Sequence, residues 1–433
     1  MLRTSRSAPP FWRRRKVVSW ALYDVANSAF ATTVMAGFFP VFFKQYWASD
    51  MSASESTFLL GNINAFASIL VVALAPILGA IADHGGVKKR FLLFFTAMGI
   101  VMTGGLYLTA QGNWAMALTL YAMGVLGFSG SMIFYDALLI NVAREKELDY
   151  ISALGFSVGY LGGGVLFAFN VLMVIYPSSF GLPDAAAAVR FSFISVAVWW
   201  ALFSIPVFLF VSEPRSKLDV GWIETVRGGF QRLKATFHQV RALKQTFLFL
   251  LAYWCYIDGV DTIVRMAVDY GLALGFEANG LMIALLITQF VGFPAALFFG
   301  YLGERRGPRQ GIMIAIFVYL LVILWAYRME SQLEFYLLAA TIGLVQGGIQ
   351  SLSRSFYARL IPRDQAGEFF GFYNMLGKFA AVLGPLIMGW VSVLTDSPRL
   401  SILAVAVLFI AGGILLAMVK TEEGQEQARL LEH

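Results

Sequence analysis

Charge is what this chain has least of. Only 13% of its 433 residues are Asp, Glu, Lys or Arg, while 59% are hydrophobic and the mean hydropathy is +0.72. A soluble domain carries about a quarter charged residues, so a water-covered globule is excluded and an integral membrane protein is indicated. Cysteine is nearly missing too. Cys255 stands alone inside an apolar run, which rules out an intrachain disulfide and reads as packing. The three histidines, His84, His238 and His433, are peripheral and scattered, and no metal-ligand cluster or nucleophile constellation accompanies them. No Walker-type phosphate loop is present, which removes an ATP-driven pump. An enzyme is therefore not expected, and neither a metal nor a cofactor is called for.

What is present is a series of long apolar runs. Twelve can be drawn, at roughly 17–44, 58–82, 91–110, 114–141, 151–176, 191–211, 246–271, 279–303, 311–328, 333–358, 369–395 and 398–419. About 20 apolar residues suffice to cross a bilayer as a helix, whereas barrel strands would be short and alternating. An all-α membrane protein follows. The first run is too long for a cleavable signal and lacks a small-residue cleavage site, so it is read as span 1. The closing Leu431-Glu432-His433 resembles a vector scar.

The net charge of +6 invites a nucleic-acid partner, but its distribution argues against one. Of the 32 basic residues, 26 fall in or within about a turn of alternate segments beginning with the N-terminus, and only Lys44, Arg190, Arg328 and Arg399 fall in or beside the others. Such asymmetry sets topology. Both termini are expected in the cytoplasm, with a bacterial inner membrane as the location. The remaining two, Arg265 and Lys378, lie inside spans.

The organising stretch is FLFLLAYWCYIDGVDTIVRMAVDYG, from Phe247 to Gly271. It spans a membrane yet carries Asp258, Asp261, Arg265 and Asp269 on one helical stripe. A charge at a helix centre costs about 2.5–3.5 kcal/mol on insertion scales, so the stripe is expected to face a wet cavity or other helices. Asp258 and Asp261 are the preferred ligands, with Arg265 neutralising part of the acid and Asp269 able to rim the outer surface. Span 1 holds Asp24 and Asn27 with the same spacing. Asp24 has two readings, an interfacial residue or one on a wet face.

Other polar residues stand inside spans. Asp136 reads either as a structural partner of Arg144 or Arg90, or as a titratable binder of a proton or cation. Gln289 is a cavity or interhelical amide. Gln346 and Gln350 share a face that ends in Arg354, which would contact a substrate carboxylate or form a gate ion pair. Asn374 and Lys378 are one turn apart, and Lys378 would pair with a carboxylate or reach the surface. Gly155, Gly159 and Gly163 form a close-packing face rather than a ligand site.

The segment GAIADHGGVKKR has the pattern Gly-x-x-x-Asp-x-x-Gly-x-Lys, carried by Gly79, Asp83, Gly86 and Lys88. It resembles the loop signature of the major facilitator superfamily, although His84 and Val87 stand where arginines are usual. GYLGERRGPRQ repeats it 221 residues later with Gly300, Glu304, Gly307 and Arg309, beside Arg305. Ala143-Arg144 likewise matches Ala358-Arg359. Two pseudo-symmetric six-helix bundles are expected. The divisions are 1–16 as a basic N-terminus, 17–211 as the first bundle, 212–245 as a linker, 246–419 as the second bundle and 420–433 as a tail. The linker places Trp222, Val226, Phe230, Leu233, Phe237 and Val240 on one face, as in a helix lying on the membrane surface.

WALYDVANSAFATTV, FYDALL, LAYWCYIDGVDTIVRMA and GLVQGGIQSLSRSFYARLIP followed by GEFFGFYNMLGKFAAVLGP resemble the vacuolar-effluxer-like branch of the same superfamily. That branch includes autophagy-related amino-acid effluxers of fungi and many bacterial proteins. Asp136 departs from the amide common there. The resemblance implies twelve helices and alternating access, and it suggests amino-acid efflux. The function expected is a monomeric secondary transporter for a small polar or zwitterionic solute, coupled to a proton carried by Asp136 or Asp258. The cavity is expected between spans 1, 4, 7 and 10, with gates in which Arg144 answers Asp83 and Arg359 answers Glu304. A lipid or lysolipid transporter on the same fold is the alternative.

Overall fold

The computed structural model describes residues 14–51, 53–85, 87–213, 241, 243–273, 278–395 and 397–431. The expected surface helix over the linker and the basic segment before Arg14 lie outside those residues. So do Gly86 and the side chains of Asp83, Arg265, Asp269 and Lys378.

Among the described residues all regular structure is helical, and twelve long helices match the twelve apolar runs. They are α1 (Arg15–Trp47), α2 (Ala53–Gly85), α3 (Lys88–Leu108), α4 (Trp114–Val142), α5 (Leu148–Ile175) and α6 (Ala185–Phe210). The second set is α7 (Lys244–Ala273), α8 (Ala278–Arg306), α9 (Pro308–Arg328), α10 (Gln332–Arg359), α11 (Ala366–Thr395) and α12 (Pro398–Ala404 continuing in Ala406–Met418). A short α13 (Thr421–Arg429) follows. Ten of the twelve are long and apolar enough to cross a membrane over their described residues. Large apolar side chains such as Leu108, Val101, Leu209 and Leu324 lie on the outside, where only lipid would receive them without penalty.

Local chemistry sets the helix ends. Asn113, Asp184, Ser331 and Ser397 cap α4, α6, α10 and α12 through side-chain oxygens, and Ser331 with Glu334 forms a full capping box. The Glu213 carboxylate accepts from the backbone N–H groups of Lys88 (2.7 Å) and Lys89 (3.2 Å), at the positive end of α3. Gly307, with φ +86°, makes the abrupt turn that Pro308 needs to start α9. One feature of α1 was not visible in the sequence: Phe30–Phe38 and Phe43–Trp47 are wound as π-helix.

The packing repeats as the sequence does. Helix α1 lies against α5 and α6, just as α7 lies against α11 and α12, and α3 pairs with α4 as α9 does with α10. The two sets of six meet where α2 touches α11 and where α8 touches α5. Glycine permits these approaches. A Cβ on Gly371 would meet the Ala75 carbonyl at 2.7 Å, and one on Gly79 or Gly300 would strike Gly367 or Ala153. The three glycines of α5 behave as their spacing predicts: Gly159 lies against Ser28 and Gly163 against the Ser28 carbonyl, so α5 and α1 are in backbone contact.

Both ends of the described chain lie on one face of the molecule. Arg14 pairs with Glu147 at 2.9 Å and Arg429 pairs with Glu145 at 2.8 Å, both in the connection between α4 and α5. This is called the terminal face below.

Candidate substrate and gating site

A cavity of about 180 Å³, with charged and amide groups set in a largely apolar wall, lies between the two sets of helices. Its walls are Phe128, Ser129, Met132 and Asp136 of α4, Phe156 of α5, Tyr253, Ile257 and Asp261 of α7, Gln350 and Arg354 of α10, and Tyr373, Asn374 and Gly377 of α11. Its floor, toward the terminal face, is an ion network that joins the two halves. Arg354 stands five residues before the end of α10, about 7.5 Å along a helix axis.

The guanidinium of Arg354 is 1% exposed and fully engaged. Its Nη1 donates to Asp136 at 3.0 Å, Nη2 lies 3.7 Å from Asp24, Nε donates to the Ser152 hydroxyl at 2.9 Å, and Nη2 donates to the Ser152 carbonyl at 2.8 Å. Phe156, Trp20 and Tyr135 surround it with ring faces at 4.4, 4.9 and 5.5 Å. Each carboxylate has a second donor: Tyr135 gives its hydroxyl hydrogen to Asp24 at 2.7 Å, and Asn374 donates to Asp136 at 3.1 Å. Every partner except Asn374 comes from the first six helices, while the cation comes from the second six. Such a pair is strong only while intact, since removing one partner of a buried ion pair costs about 3–5 kcal/mol.

Closer to the terminal face a second lock repeats the theme. Arg359 at the end of α10 donates to Asp149 at the start of α5 at 2.7 Å, and Asp149 is 1% exposed. The Ser152 hydroxyl donates to the Ser351 carbonyl at 2.8 Å. Toward the opposite face the crossing bonds are between neutral groups: Tyr160 donates to Gln350 at 3.1 Å, and Gln289 donates to Thr32, in the π-wound part of α1, at 3.1 Å.

The structure sorts the residues expected at this site into three groups. Asp136, Asp261, Gln350, Arg354 and Asn374 line one cavity. Asp24 and Asn27 stand directly behind its wall, Asn27 with its amide 3.3 Å from the Met132 sulfur, and Gln289 closes toward α1. Asp258 and Gln346 point elsewhere. Asp258 is fully buried and accepts from the Gly384 N–H at 2.9 Å and from Thr262 at 3.4 Å, so its carboxylate serves the α7–α11 contact. Gln346 lines a separate apolar cavity of about 80 Å³ inside the second half, with its Oε1 buried and unbonded.

Two expectations about the lining and the gates are corrected. Helix α1 stands one layer back, and α5 and α11 supply walls in its place. Arg359 pairs with Asp149 and not with Glu304, because the start of α5 brings a buried carboxylate closer to the end of α10 than the half-exposed end of α8 does. Arg144, the repeat partner of Arg359, is exposed. Arg305 stacks on Tyr301 at 4.4 Å and Arg309 donates to the Ala417 carbonyl, so these two basic residues hold the ends of α8 and α9. The backbone N–H of Lys88 anchors α3 to Glu213, as described above.

Trp20, Tyr135, Asp149, Ser152, Phe156, Tyr160, Tyr253 and Tyr373 complete the site and were not singled out from the sequence. Asp149 carried a usable signal, being the acid that follows Arg144 in the repeated helix-end motif, at the place Asp364 takes after Arg359.

The comparisons with known proteins agree with this architecture. The family model described as "Vacuole effluxer Atg22 like" matches residues 51–149 and 141–429. The chain is 39% identical over 406 residues to the uncharacterized MFS-type transporter YxiO of Bacillus subtilis (strain 168), covering 93% of this chain and 94% of that one. It is 26% identical to autophagy-related protein 22 of Kluyveromyces lactis over 424 residues, 90% and 84% of the two chains. Among solved structures, the human organic anion transporter MFSD10 superimposes with a TM-score of 0.71 at 16% identity, covering 94% of this chain and 100% of that one. The proton:xylose symporter XylE does so at 0.70 and 12%, covering 96% and 98%. These two show the fold.

Proposed function

The chain belongs to the vacuole effluxer Atg22-like family of the major facilitator superfamily and is a membrane transporter, and from that premise we propose that it exports a small zwitterionic, amino-acid-like solute in exchange for protons. The two bundles, 17–211 and 246–419, rock about the central cavity as a monomer, with the terminal face toward the cytoplasm of a bacterial inner membrane. The observation that carries the reading is the buried Arg354, a cation of the second half held by Asp136 and Asp24 of the first at the cavity floor.

That arrangement suits an exchanger. With the terminal face shut, the state described here is the one that would take up a proton from outside. A proton on Asp136 removes the charge that holds Arg354 at 3.0 Å, and the floor can part. On the cytoplasmic side the freed guanidinium accepts a substrate carboxylate in place of Asp136, while Asp261 faces the ammonium end. Asp136 then releases its proton to the cell interior, and the loaded carrier returns. A cavity of about 180 Å³ is smaller than the roughly 300–1,000 Å³ of drug-sized sites, which supports a small solute over a lysolipid.

The test is flux in proteoliposomes, after a thermal-shift screen of amino acids, peptides, sugars and lysolipids identifies a stabilising ligand. In Asp136→Asn, uphill flux driven by a pH gradient should vanish while solute counterflow persists. If gradient-driven flux survives at wild-type level, Asp136 does not carry the proton. Displacement of a bound amino acid by lysolipid would favour the lipid reading.

A further inference from the structure

A further cavity, polar and of about 110 Å³, lies at the terminal face beneath α13. Glu145 and Leu148 of the first half, Arg359 and Arg363 of the second, and Gln425 and Arg429 of α13 supply its walls. Three guanidiniums and one carboxylate thus line the cavity, and Arg363 is engaged with a partner of its own. That carboxylate, Glu145, is already taken by Arg429 at 2.8 Å, and Asp149 behind the wall is taken by the Nη2 of Arg359 at 2.7 Å. The Nε of Arg359 remains buried with no hydrogen-bond partner, on a side chain that is 14% exposed. A charged donor left in that condition is unfavourable unless something else accepts from it.

We infer that this cavity binds a phosphate group, and that occupancy holds the terminal face closed. Guanidinium N–H forks match phosphate oxygens, and three of them converging from different segments provide a site that lysines could not reproduce. A bound phosphate would accept from Arg359, Arg363 and Arg429 together. It would tie the end of α10, the connection to α11 and the tail helix to one another, with Arg429 carrying the link to Glu145 of the opposite half. The tail helix is seated for the role. Ala428 is 3% exposed, Gly424 fits against Leu360 and Gln245, and the Lys420 N–H is held by Gln245 at 2.9 Å. The phosphate could be inorganic or the headgroup of an acidic phospholipid, since the cavity lies where the helices end. The consequence for transport rests on the exchanger reading above, but the binding does not.

The experiment uses the full chain and inorganic phosphate, with chloride at equal ionic strength as control. In detergent, millimolar phosphate should raise the thermal midpoint and slow hydrogen exchange over residues 148–152. Arg363→Gln and Arg429→Gln, both changes of exposed side chains, should each remove most of that response while leaving the unliganded midpoint within about 2 °C of wild type. In nanodiscs, phosphatidylglycerol should protect the same residues against a phosphatidylcholine-only background if the source is lipid. A response to either source, lost in both variants, supports the site. No response to either, or a response undiminished in both variants, overturns it. Transport can fail in every arm without touching this result, and the reverse also holds.

Discussion

Helices α1 and α7 occupy equivalent places in the two halves, and each carries an aspartate followed three residues later by a second polar group. Their aspartates nevertheless do different things. Asp24 reaches through the layer of α4 and α5 to Arg354 and takes the Tyr135 hydroxyl, so its charge acts across the interface. Asp258 is fully buried on the Gly384 N–H of its own half. Each sits on a glycine that makes room for it: a Cβ on Gly155 would collide with Asp24, and one on Gly384 would lie 2.9 Å from Asp258. The duplication has kept the acid and the opening beside it while changing what the acid holds. The result is a divided labour, with the cation of the central pair in one half and its two anions in the other. A pair made within one half would not sense whether the halves are together.

The severest test of that division is Arg354→Gln. It strands two buried carboxylates, a loss of about 3–5 kcal/mol for a broken buried pair, which converts to roughly two to four orders of magnitude in rate. Flux should fall to background and the thermal midpoint should drop. Adding Asp136→Asn should recover part of the midpoint, because one of the two stranded charges is then removed. If the double variant melts no higher than Arg354→Gln alone, the two residues are not coupled as described.

Arg359→Gln comes next. It leaves Asp149 buried without its cation, for which roughly 2 kcal/mol is expected, and it should loosen only the terminal face. Hydrogen exchange at the start of α5 should accelerate while solute affinity from the opposite side stays unchanged. Equal changes at both places would mean that this pair supports the whole bundle and not one gate. Asp24→Asn should be milder still, because its carboxylate lies 3.7 Å from Arg354 and an amide oxygen can still accept from Tyr135. About a tenfold loss of exchange rate, with a changed dependence on external pH, is the outcome to look for.

The sequence made the frame legible for physical reasons. Twelve runs long enough for lipid, a basic bias on alternate segments and a loop signature repeated 221 residues apart leave few other folds. The polar residues within spans were equally conspicuous, and five of them do meet in one cavity. Direction around a helix was harder to read. A spacing of three places Asp258 and Asp261 about 60° apart, close enough to share a stripe on paper. The cavity wall runs through Tyr253, Ile257 and Asp261, and Asp258, about 100° round from Ile257, faces α11. Gln346 and Gln350 part in the same way, toward the apolar cavity and the central one. The partners of Arg354 could not be named because Ser152, Trp20 and Phe156 are ordinary residues for apolar helices, and only the packing of α5 against α1 and α10 brings them together.

Asp258→Asn is the gentlest substitution and the sharpest discriminator. An asparagine oxygen can still accept from the Gly384 N–H, so that bond loses only the strengthening that a charged acceptor gives, about 1 kcal/mol. The midpoint should move by no more than about 2 °C. Because Asp258 neither lines the cavity nor touches Arg354, gradient-driven flux and its pH dependence should match wild type. The same substitution at Asp136 should abolish that flux, so the two variants, tested in one membrane preparation, separate a carboxylate that fastens two helices from one that joins two halves. Were Asp258→Asn to lose pH-gradient coupling while its midpoint and counterflow stayed intact, the proton would belong to the second half, and the division between a cationic and an anionic half would be wrong.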